Sequence, residues 1–484
     1  MDISRLSIGI LHSLIGKNDG VSIVIDQTIE AMIHIMNIPL GNIHLLAAHC
    51  PPRFNTTTDE IFWHKSDQNK YILENYSDEA PLDLDSFILE EAKKAKKLMS
   101  NFVENNDLDL FIIHNSCHPS NFVYAVAAGM YFEELQKEGR ATPKYLLWWH
   151  DSHFERERFM RPNAVIKKYL QYVPGRHVNG VVFINTEQEK LAQRRYFTEV
   201  GMKNPELFFE RKTKVIPNTC DIPWEWKELK TDILRPIAPK EDQYNKTFFR
   251  DIGLEHLLEQ KGRRFEDTII LLQHTRIVQR KRIDHSIDFA IKMEKKFRAE
   301  GHKKFFVILV SGHSGDEHDA HRMFLQQYFN DMMKSNRRSK ENIALIFAEE
   351  KILPEKEVIV EKKFYKFADI PGIIARSGGM GTYFSEVEGF GNNLLEMISL
   401  GLPAVINKYP IYKSDIEPLG FKLPATEGGA LPDELIQECY ELLVDMPKRN
   451  ALVKHNLKVL HKNLHHGIIA DRLSVLIQNM FKYT

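Results

Sequence analysis

The chain has 484 residues, of which 43% are hydrophobic and 27% are charged. This composition is typical of a globular protein and excludes a disordered chain, and the length predicts two domains. The 65 lysine and arginine residues are balanced by 66 aspartate and glutamate residues. The overall charge therefore indicates neither a nucleic acid nor an anionic membrane as partner.

The cysteines and the N-terminal stretch favour a cytoplasmic protein. Four cysteines occur without a CxxC pair, namely Cys50, Cys117, Cys220 and Cys439. Neither a zinc site nor a disulfide framework is expected from them. The first apolar stretch is short and is interrupted by His12, so it predicts a β-strand rather than a signal peptide. No apolar run approaches the roughly 20 residues that span a bilayer.

Short apolar runs alternate with amphipathic stretches in the first half of the chain. The stretch 83–105 has apolar residues at helical spacing and predicts a helix. The runs that predict buried parallel strands are 6–11, 43–48, 108–114, 145–150 and 180–185. Alternation of this kind indicates βαβ units and a parallel sheet.

A second alternating series follows a charged, proline-containing stretch that is predicted to be helical near 246–261. Its predicted strands are 267–273, 305–311, 343–348, 368–375 and 403–407. We therefore predict an α/β protein with two Rossmann-like domains that face each other across a cleft. The predicted divisions are an N-terminal domain at 1–222, a linker or insertion at 223–265, a C-terminal domain at 266–465, and a terminal helix at 466–484. That helix either ends the second domain or returns to the first.

A glycine-containing loop, EGFGNNLLE at 388–396, precedes a predicted helix. Glycines allow a ligand to approach the backbone, and the amides at a helix start bind phosphate groups. Glu388 would accept hydrogen bonds from sugar hydroxyls and Glu396 from ribose hydroxyls. The residues predicted to bind a sugar nucleotide, the sugar donor, are Gly389, Phe390, Gly391, Asn392, Asn393, Leu394 and Glu396. Gly312, which follows another predicted strand, is included with them. The alternative is a glycine-rich turn with solvated glutamates.

A basic segment, TRIVQRKR at 275–282, directly follows the predicted strand 267–273. Fixed positive charge at this place would neutralise a leaving diphosphate as its negative charge develops in the transition state. We expect Arg276 and Lys281 to have this catalytic role. The alternative is a solvated basic loop.

Taken in order, these motifs resemble glycosyltransferase family 4, whose members have the GT-B architecture. The matches are Arg276 with Lys281 five positions later, Glu388 with Glu396 as a Glu-x7-Glu motif, the segment VIPNTCD at 215–221, and the loop at 16–22. The resemblance covers nearly the whole chain. It implies a retaining, metal-independent transfer of a hexose from a UDP- or GDP-linked sugar, with no cofactor.

Three further segments, 150–159, 314–317 and 409–418, resemble a bacterial subgroup in which some members are named mannosylglucosylglycerate synthases. The chain departs from the family at Asn392 and Asn393, which still favour a helix start. The usual Gly-x-Gly is replaced by Ser311-Gly312-His313, which leaves the choice between a UDP and a GDP donor open.

The first domain offers residues for the acceptor of the hexose, which we expect to be a small molecule that is either anionic or a glycoside. His150 ends a predicted strand, and the resemblance places it near the donor sugar, where it would orient the reactants without abstracting a proton. The alternative is a histidine that caps the strand.

The predicted acceptor-binding residues are Gly20, Val21, Asp151, Arg156 and Arg158. The two arginines are included because arginine binds carboxylate and phosphate groups in bidentate fashion. Arg161 belongs to the same basic stretch, which could equally be a surface helix with Glu155 and Glu157 paired to the arginines. The polar residues His114, Asn115 and Ser116 at the end of another predicted strand either shape the acceptor site or form hydrogen bonds with the loop backbone.

Other functions remain as alternatives. A metal-dependent glycosyltransferase would use Asp-x-Asp, which occurs at 83–85 and 107–109. Neither copy follows a predicted strand, where metal-binding carboxylates are expected. A phosphorylase, a sugar-nucleotide epimerase or a non-catalytic sugar-nucleotide binder would share the same scaffold.

Overall fold

The computed structural model describes residues 2–17, 19–50, 55–173, 175–201, 204–220, 243–313, 320–353 and 363–483, with only the backbone at 196–200. The chain divides into two compact units. The N-terminal unit comprises Met1–Asn218 together with His466–Thr484, and the C-terminal unit comprises Thr219–His465. The first part of the predicted linker, at 223–242, lies outside the described residues.

The N-terminal unit contains a parallel sheet of seven strands in the order β3-β2-β1-β4-β5-β6-β7. The strands are β1 Ile8–Leu11, β2 Ile43–Ala47, β3 Asn55–Thr58, β4 Leu110–His114, β5 Lys144–Trp149, β6 Gly180–Phe183 and β7 Thr213–Val215. The order reverses between the adjacent strands β1 and β4. Ligands of open α/β sheets bind at such a switch point, outside the carboxyl ends of the strands.

Helices cover both faces of this sheet with separate apolar cores. The helices are Gly20–His34, Asp67–Glu74, Leu84–Asn105, Phe122–Lys137, Ala164–Tyr169, Thr186–Val200, Pro205–Lys212 and the terminal Gly467–Lys482. The terminal helix buries Leu473, Leu476 and Ile477 in the same core as Ile25 of the first helix. This apolar contact explains why the end of the chain belongs to the N-terminal unit.

The C-terminal unit contains a parallel sheet of six strands in the order β10-β9-β8-β11-β12-β13. The strands are β8 Thr268–Gln273, β9 Phe305–Val310, β10 Ile343–Phe347, β11 Met380–Tyr383, β12 Ala404–Asn407 and β13 Ala425–Thr426. The helices are Phe248–Asp251, Leu254–Gln260, Ile283–Ala299, Ala320–Ser335, Ile370–Arg376, Asn392–Ser399, Asp433–Val444 and Met446–Asn463. The order reverses between β8 and β11, which therefore form the switch point of this unit.

One predicted strand is wrong. The run 368–375 contains the start of the helix Ile370–Arg376, with Pro371 in its first turn, where a proline costs no hydrogen bond. The strand at this point is β11, and Gly381 within it packs so closely on Met397 that a Cβ atom would collide with the sulfur. The other nine predicted runs each overlap a strand whose ends lie within two residues of the prediction. The α/β class with two parallel sheets is confirmed.

Within the described residues, every helix is too short or too polar to cross a membrane.

Candidate active site

The loops that follow β8 and β11 bring the predicted catalytic residues together. The two strands are adjacent and parallel, and Gln273 pairs with Thr382 near their carboxyl ends. The loop at 274–282 leaves β8, and the loop at 384–391 leaves β11. Both loops therefore leave the same edge of the sheet, at its switch point.

Lys281 and Glu388 form an ion pair between these two loops. The Lys281 ammonium donates a hydrogen bond to Oε1 of Glu388, and the two side chains are only 7% and 8% exposed. The Tyr383 hydroxyl donates to the same oxygen at 2.7 Å. A guanidinium nitrogen of Arg280 lies 3.3 Å from the other carboxylate oxygen. The sequence predicted that Glu388 accepts hydrogen bonds from sugar hydroxyls, and the structure shows that three side chains of the protein already bind its carboxylate.

Burial and charge act against each other in this cluster. Burial lowers the pKa of Lys281 to about 8, although the Glu388 carboxylate opposes the shift. The neighbouring cations Arg280 and Arg276 act in the same direction as burial, and the value of about 8 includes their effect. For Glu388, burial would raise the pKa, but the charges of Lys281 and Arg280 outweigh it and hold the pKa at about 2. The carboxylate is therefore ionised at neutral pH.

Arg276 differs from Lys281 in being solvent-exposed. Among the described residues, its guanidinium has no hydrogen-bond or ion-pair partner. Arg276 and Lys281 lie on the same loop after β8, and the charge of Arg276 helps to lower the pKa of Lys281. An exposed cation beside a buried one gives this edge a positive charge that a diphosphate can neutralise.

The glycine loop leads into the helix Asn392–Ser399 as the sequence predicted. Gly391 precedes this helix with φ at +123°, and a Cβ atom there would collide with the Tyr409 hydroxyl. That hydroxyl donates to the carbonyl of Phe390 at 2.7 Å. The side chains of Phe390 and Leu394 are buried in the core. Those two residues can therefore bind a ligand only through their backbone.

Glu396 lies on the second turn of this helix and contacts His274, which follows β8. A ring nitrogen of His274 is 3.2 Å from a carboxylate oxygen of Glu396. The side-chain amide of Asn393 donates to the His274 carbonyl at 2.6 Å. These contacts join the helix start to the end of β8. They place Glu396 at the same edge of the sheet as Lys281.

Gly312 follows β9 and packs against the loop after β8. A Cβ atom at this position would collide with the carbonyl oxygen of Thr275. The neighbouring His313 accepts a hydrogen bond from the Ile277 amide through its carbonyl, at 3.0 Å. Glycine is therefore needed at 312 for the packing of these two loops, whatever ligand binds there.

In the N-terminal unit, His150 belongs to a row of buried histidines at the carboxyl ends of adjacent strands. His12 follows β1, His114 ends β4 and His150 follows β5. Nδ1 of His114 lies 2.9 Å from Nε2 of His150, and the two rings stack. Burial lowers the pKa of His12 to about 4 and the pKa values of His114 and His150 well below the usual value. All three histidines are therefore neutral at pH 7.

Two of the predicted acceptor-binding residues are paired with each other. The Arg156 guanidinium donates to the Asp151 carboxylate through two nitrogens. Arg158 is exposed, and its guanidinium lies 4.5 Å from the centre of the Phe159 ring. Of the two glutamates in the alternative, Glu155 accepts hydrogen bonds from Trp149, Ser152 and Gln188 instead of from an arginine. Thus Arg156 has an ionic partner, whereas Arg158 has none among the described residues.

Gly20 and Val21 lie at the start of the first helix, where the Asp19 carboxylate accepts from the amide of Val21 at 3.0 Å. Capping already satisfies this amide. Some residues of the quoted motifs lie outside the described residues, namely Asn18, Asp221 and the segment 314–317.

Three residues of the C-terminal cluster were not predicted from the sequence. Arg280 was present in the basic segment, but its contact with Glu388 depends on how two distant loops fold. Tyr383 ends a strand that the sequence analysis placed elsewhere. His274 directly follows a predicted strand, and that position is the signal that could have identified it.

No family model matches the chain. The chain is 25% identical over 430 residues to the mannosylglucosylglycerate synthase of Petrotoga mobilis, with 86% of each chain covered. It is 23% identical to the mannosylglucosylglycerate synthase of Thermotoga maritima, with 97% of this chain and 99% of that protein covered. Among solved structures, Anabaena Alr3699/HepE in complex with UDP is 13% identical and has a TM-score of 0.56. That alignment covers 98% of this chain and 100% of the other.

The chain has the GT-B fold and is related to the glycosyltransferases that share it. The predicted resemblance to mannosylglucosylglycerate synthases is confirmed by the two relatives, and the predicted GT-B architecture by the solved structures. This glycosyltransferase keeps the Arg276, Lys281, Glu388 and Glu396 set on which the resemblance depended, and all four residues lie in its C-terminal unit.

Proposed function

We propose that this glycosyltransferase transfers a hexose from a UDP- or GDP-linked sugar to a small anionic glycoside, with retention of configuration at the anomeric carbon. The observation that carries this proposal is the clustering of Lys281, Arg276 and Glu388 at the switch point of the C-terminal sheet. Buried and exposed cations side by side suit a leaving group that carries a diphosphate.

In the proposed reaction, the C-terminal unit binds the donor. The diphosphate interacts with Arg276, Lys281 and the backbone at the start of the helix Asn392–Ser399. As the bond from the sugar carbon to the phosphate oxygen breaks, negative charge accumulates on the diphosphate. Lys281 is held by Glu388 before the reaction, so it stabilises this charge with little reorganisation, and Arg276 adds a second positive charge. Glu388 holds the Lys281 ammonium in place.

Retention follows if the acceptor hydroxyl attacks from the face that the diphosphate leaves, with a phosphate oxygen accepting the hydroxyl proton. No side chain then needs to act as a general base. The buried, neutral His150 supports this mechanism, because its low pKa makes it a weak base at pH 7. We assign it to hydrogen bonding with the reactants.

The names of the two relatives suggest the class of acceptor. A synthase of mannosylglucosylglycerate that works by glycosyl transfer attaches a sugar to a glycerate glycoside, which carries a carboxylate. Arg158, exposed and with no ionic partner among the described residues, is our candidate for binding that carboxylate. Asp151 and Arg156 would bind acceptor hydroxyls through the polar atoms that their ion pair leaves free.

We propose that transfer requires neither a metal ion nor a cofactor. The described residues bring together no three His, Cys, Asp or Glu side chains in a metal-binding arrangement. The Asp-x-Asp copies have structural contacts instead, since Asp83 accepts from the Tyr71 hydroxyl and Asp109 from the Ser7 amide. The cysteine pattern supports a reaction in the cytoplasm.

The test is a thermal-shift screen of nucleotide sugars, followed by product analysis with glycerate glycosides in the presence of EDTA. A ligand at 100 times its Kd adds about 2.7 kcal/mol to the free energy of unfolding. We expect one UDP- or GDP-sugar to stabilise the protein and to be consumed only when acceptor is present. Phosphate-dependent cleavage of a disaccharide would indicate a phosphorylase, and conversion of the nucleotide sugar without acceptor would indicate an epimerase. Binding without turnover would indicate a non-catalytic binder, and no binding at all would refute the proposal.

A further inference from the structure

His274 is a buried histidine whose ring connects three parts of the C-terminal unit. Its Nδ1 atom lies 2.9 Å from the Ser311 hydroxyl, and its Nε2 atom lies 3.2 Å from Oε2 of Glu396. The ring stacks on Phe367 with the centroids 3.9 Å apart and the planes inclined by 15°. The side chain is 0% exposed. Any rotation of the ring would break the stack or a hydrogen bond, so its orientation is fixed.

The two hydrogen bonds define where the ring carries its proton. The Glu396 carboxylate can only accept a hydrogen bond, so Nε2 of His274 has to carry the hydrogen. The Ser311 hydroxyl can donate to Nδ1, so a neutral ring satisfies both contacts. His274 therefore presents a fixed N–H donor to one oxygen of Glu396.

We propose that His274 is a positioning residue that holds one carboxylate oxygen of Glu396 and so directs the other toward the ribose hydroxyls of the donor nucleotide. The proposal rests on the proposed function. A glutamate side chain has three rotatable bonds, and fixing it in advance removes an entropy cost from ligand binding. At 17% side-chain exposure, Glu396 remains accessible to a ligand while it is bound to His274.

The backbone of His274 reinforces the arrangement. Its carbonyl accepts a hydrogen bond from the side-chain amide of Asn393 at 2.6 Å. Asn393 lies three residues before Glu396 on the same helix. The residue therefore contacts the helix both through its backbone and through its ring. Movement of the helix relative to β8 would break both contacts.

The matched pair of variants is H274Q and H274N. The longer glutamine amide can reach the position of Nε2 and keep a donor toward Glu396. The shorter asparagine amide can reach only the position of Nδ1, beside Ser311. A third variant, H274F, keeps the stack on Phe367 but has no hydrogen-bond donor. The E396Q variant and the H274N/E396Q double variant complete a double-mutant cycle.

The measurement is isothermal titration of the full-length protein with UDP and GDP. The nucleotide that binds more tightly is then used together with its 2′-deoxy and 3′-deoxy forms. We expect H274N and H274F to weaken binding of the ribonucleotide about tenfold, as for loss of one hydrogen bond to a charged group. We expect H274Q to stay within about threefold of the wild type. Affinity for the deoxy form that lacks the hydroxyl bound by Glu396 should be unchanged in all variants.

In the cycle, the H274N/E396Q protein should bind no more weakly than E396Q alone. The inference is overturned if H274N binds like the wild type, if the losses of the two single variants multiply, or if the deoxy forms are weakened equally. If H274N does not fold, H274F decides by the same criteria. Failure of the wild type to bind either nucleotide overturns the proposed function as well, whereas a loss in E396Q without one in H274N overturns only the inference.

Discussion

Lys281 and Glu388 are 107 positions apart in the sequence and form an ion pair in which both side chains are less than one-tenth exposed. Taking two charges out of water costs several kcal/mol per ion, so a buried pair is weak evidence for a stabilising role. This pair lies at the edge of the sheet where ligands of such folds bind. We therefore interpret it as part of the donor site.

The first prediction concerns Lys281→Ala. Turnover should fall at least tenfold, because loss of one group that stabilises the transition state costs about 3 kcal/mol of barrier. The variant should also lose about 3 kcal/mol of unfolding free energy, because Glu388 would remain buried without its nearest cation. Steady-state kinetics and urea unfolding measure the two effects.

Arg276→Ala is the matched control, because it removes the same charge from an exposed side chain. Its unfolding free energy should stay within about 0.5 kcal/mol of the wild type while its turnover also falls. Near-normal turnover in the Lys281→Ala protein would remove Lys281 from the mechanism.

The second prediction concerns pH. Because the pKa of Lys281 is about 8, its ammonium is lost as the pH rises through that value. We expect kcat/KM for the donor to fall above pH 8, since this ratio reports the ionisation of the unliganded enzyme. The folded-state pKa lies below the ordinary 10.5, so the unfolded chain binds this proton more tightly, and the contribution of Lys281 to stability rises between pH 8 and 10.5.

Lys281→Arg is the control for the pH profile, because a guanidinium stays protonated throughout this range. Its kcat/KM should show no decrease near pH 8, whatever its absolute value. A wild-type profile that stays flat to pH 10, or the same decrease in both proteins, would contradict the assignment.

The third prediction concerns Gly391→Ala. A backbone φ of +123° is unfavourable for any residue with a Cβ atom, and the new methyl group would also meet the Tyr409 hydroxyl. We expect a loss of about 2 kcal/mol or more in unfolding free energy and an affinity for UDP or GDP at least tenfold lower.

Gly378→Ala separates backbone strain from steric collision. Gly378 also has a positive φ, at +79°, but no atom lies within 4 Å of the position of its Cβ. This variant should lose only about 1 kcal/mol and keep its nucleotide affinity. Equal losses of affinity in the two proteins would show that the effect is not local to the glycine loop.

Much of the fold could be predicted because buried parallel strands are continuous apolar runs, and most of the runs singled out in the sequence are strands. The exception, 368–375, is an apolar helix of only seven residues, which periodicity cannot distinguish from a buried strand. The three-residue strand β7 and the two-residue β13 give almost no pattern to read. Strand β3 is polar and fully exposed, so it lacks the apolar signal altogether.

The candidate site could be predicted as a set of residues but not as a set of contacts. The spacing of Arg276, Lys281, Glu388 and Glu396 is a property of the sequence. The burial of Lys281 against Glu388 depends on two loops that tertiary structure brings together. The contact of Glu396 with His274 likewise joins residues 122 positions apart, which no local pattern encodes.

The most direct test of the central claim is the anomeric configuration of the product, followed by proton NMR during transfer from an α-linked nucleotide sugar to a glycerate glycoside. The account predicts that the first-formed product has the α configuration of the donor. It also predicts that Lys281→Ala slows appearance of that signal at least tenfold. A product that is first formed with the β configuration would contradict the proposed mechanism.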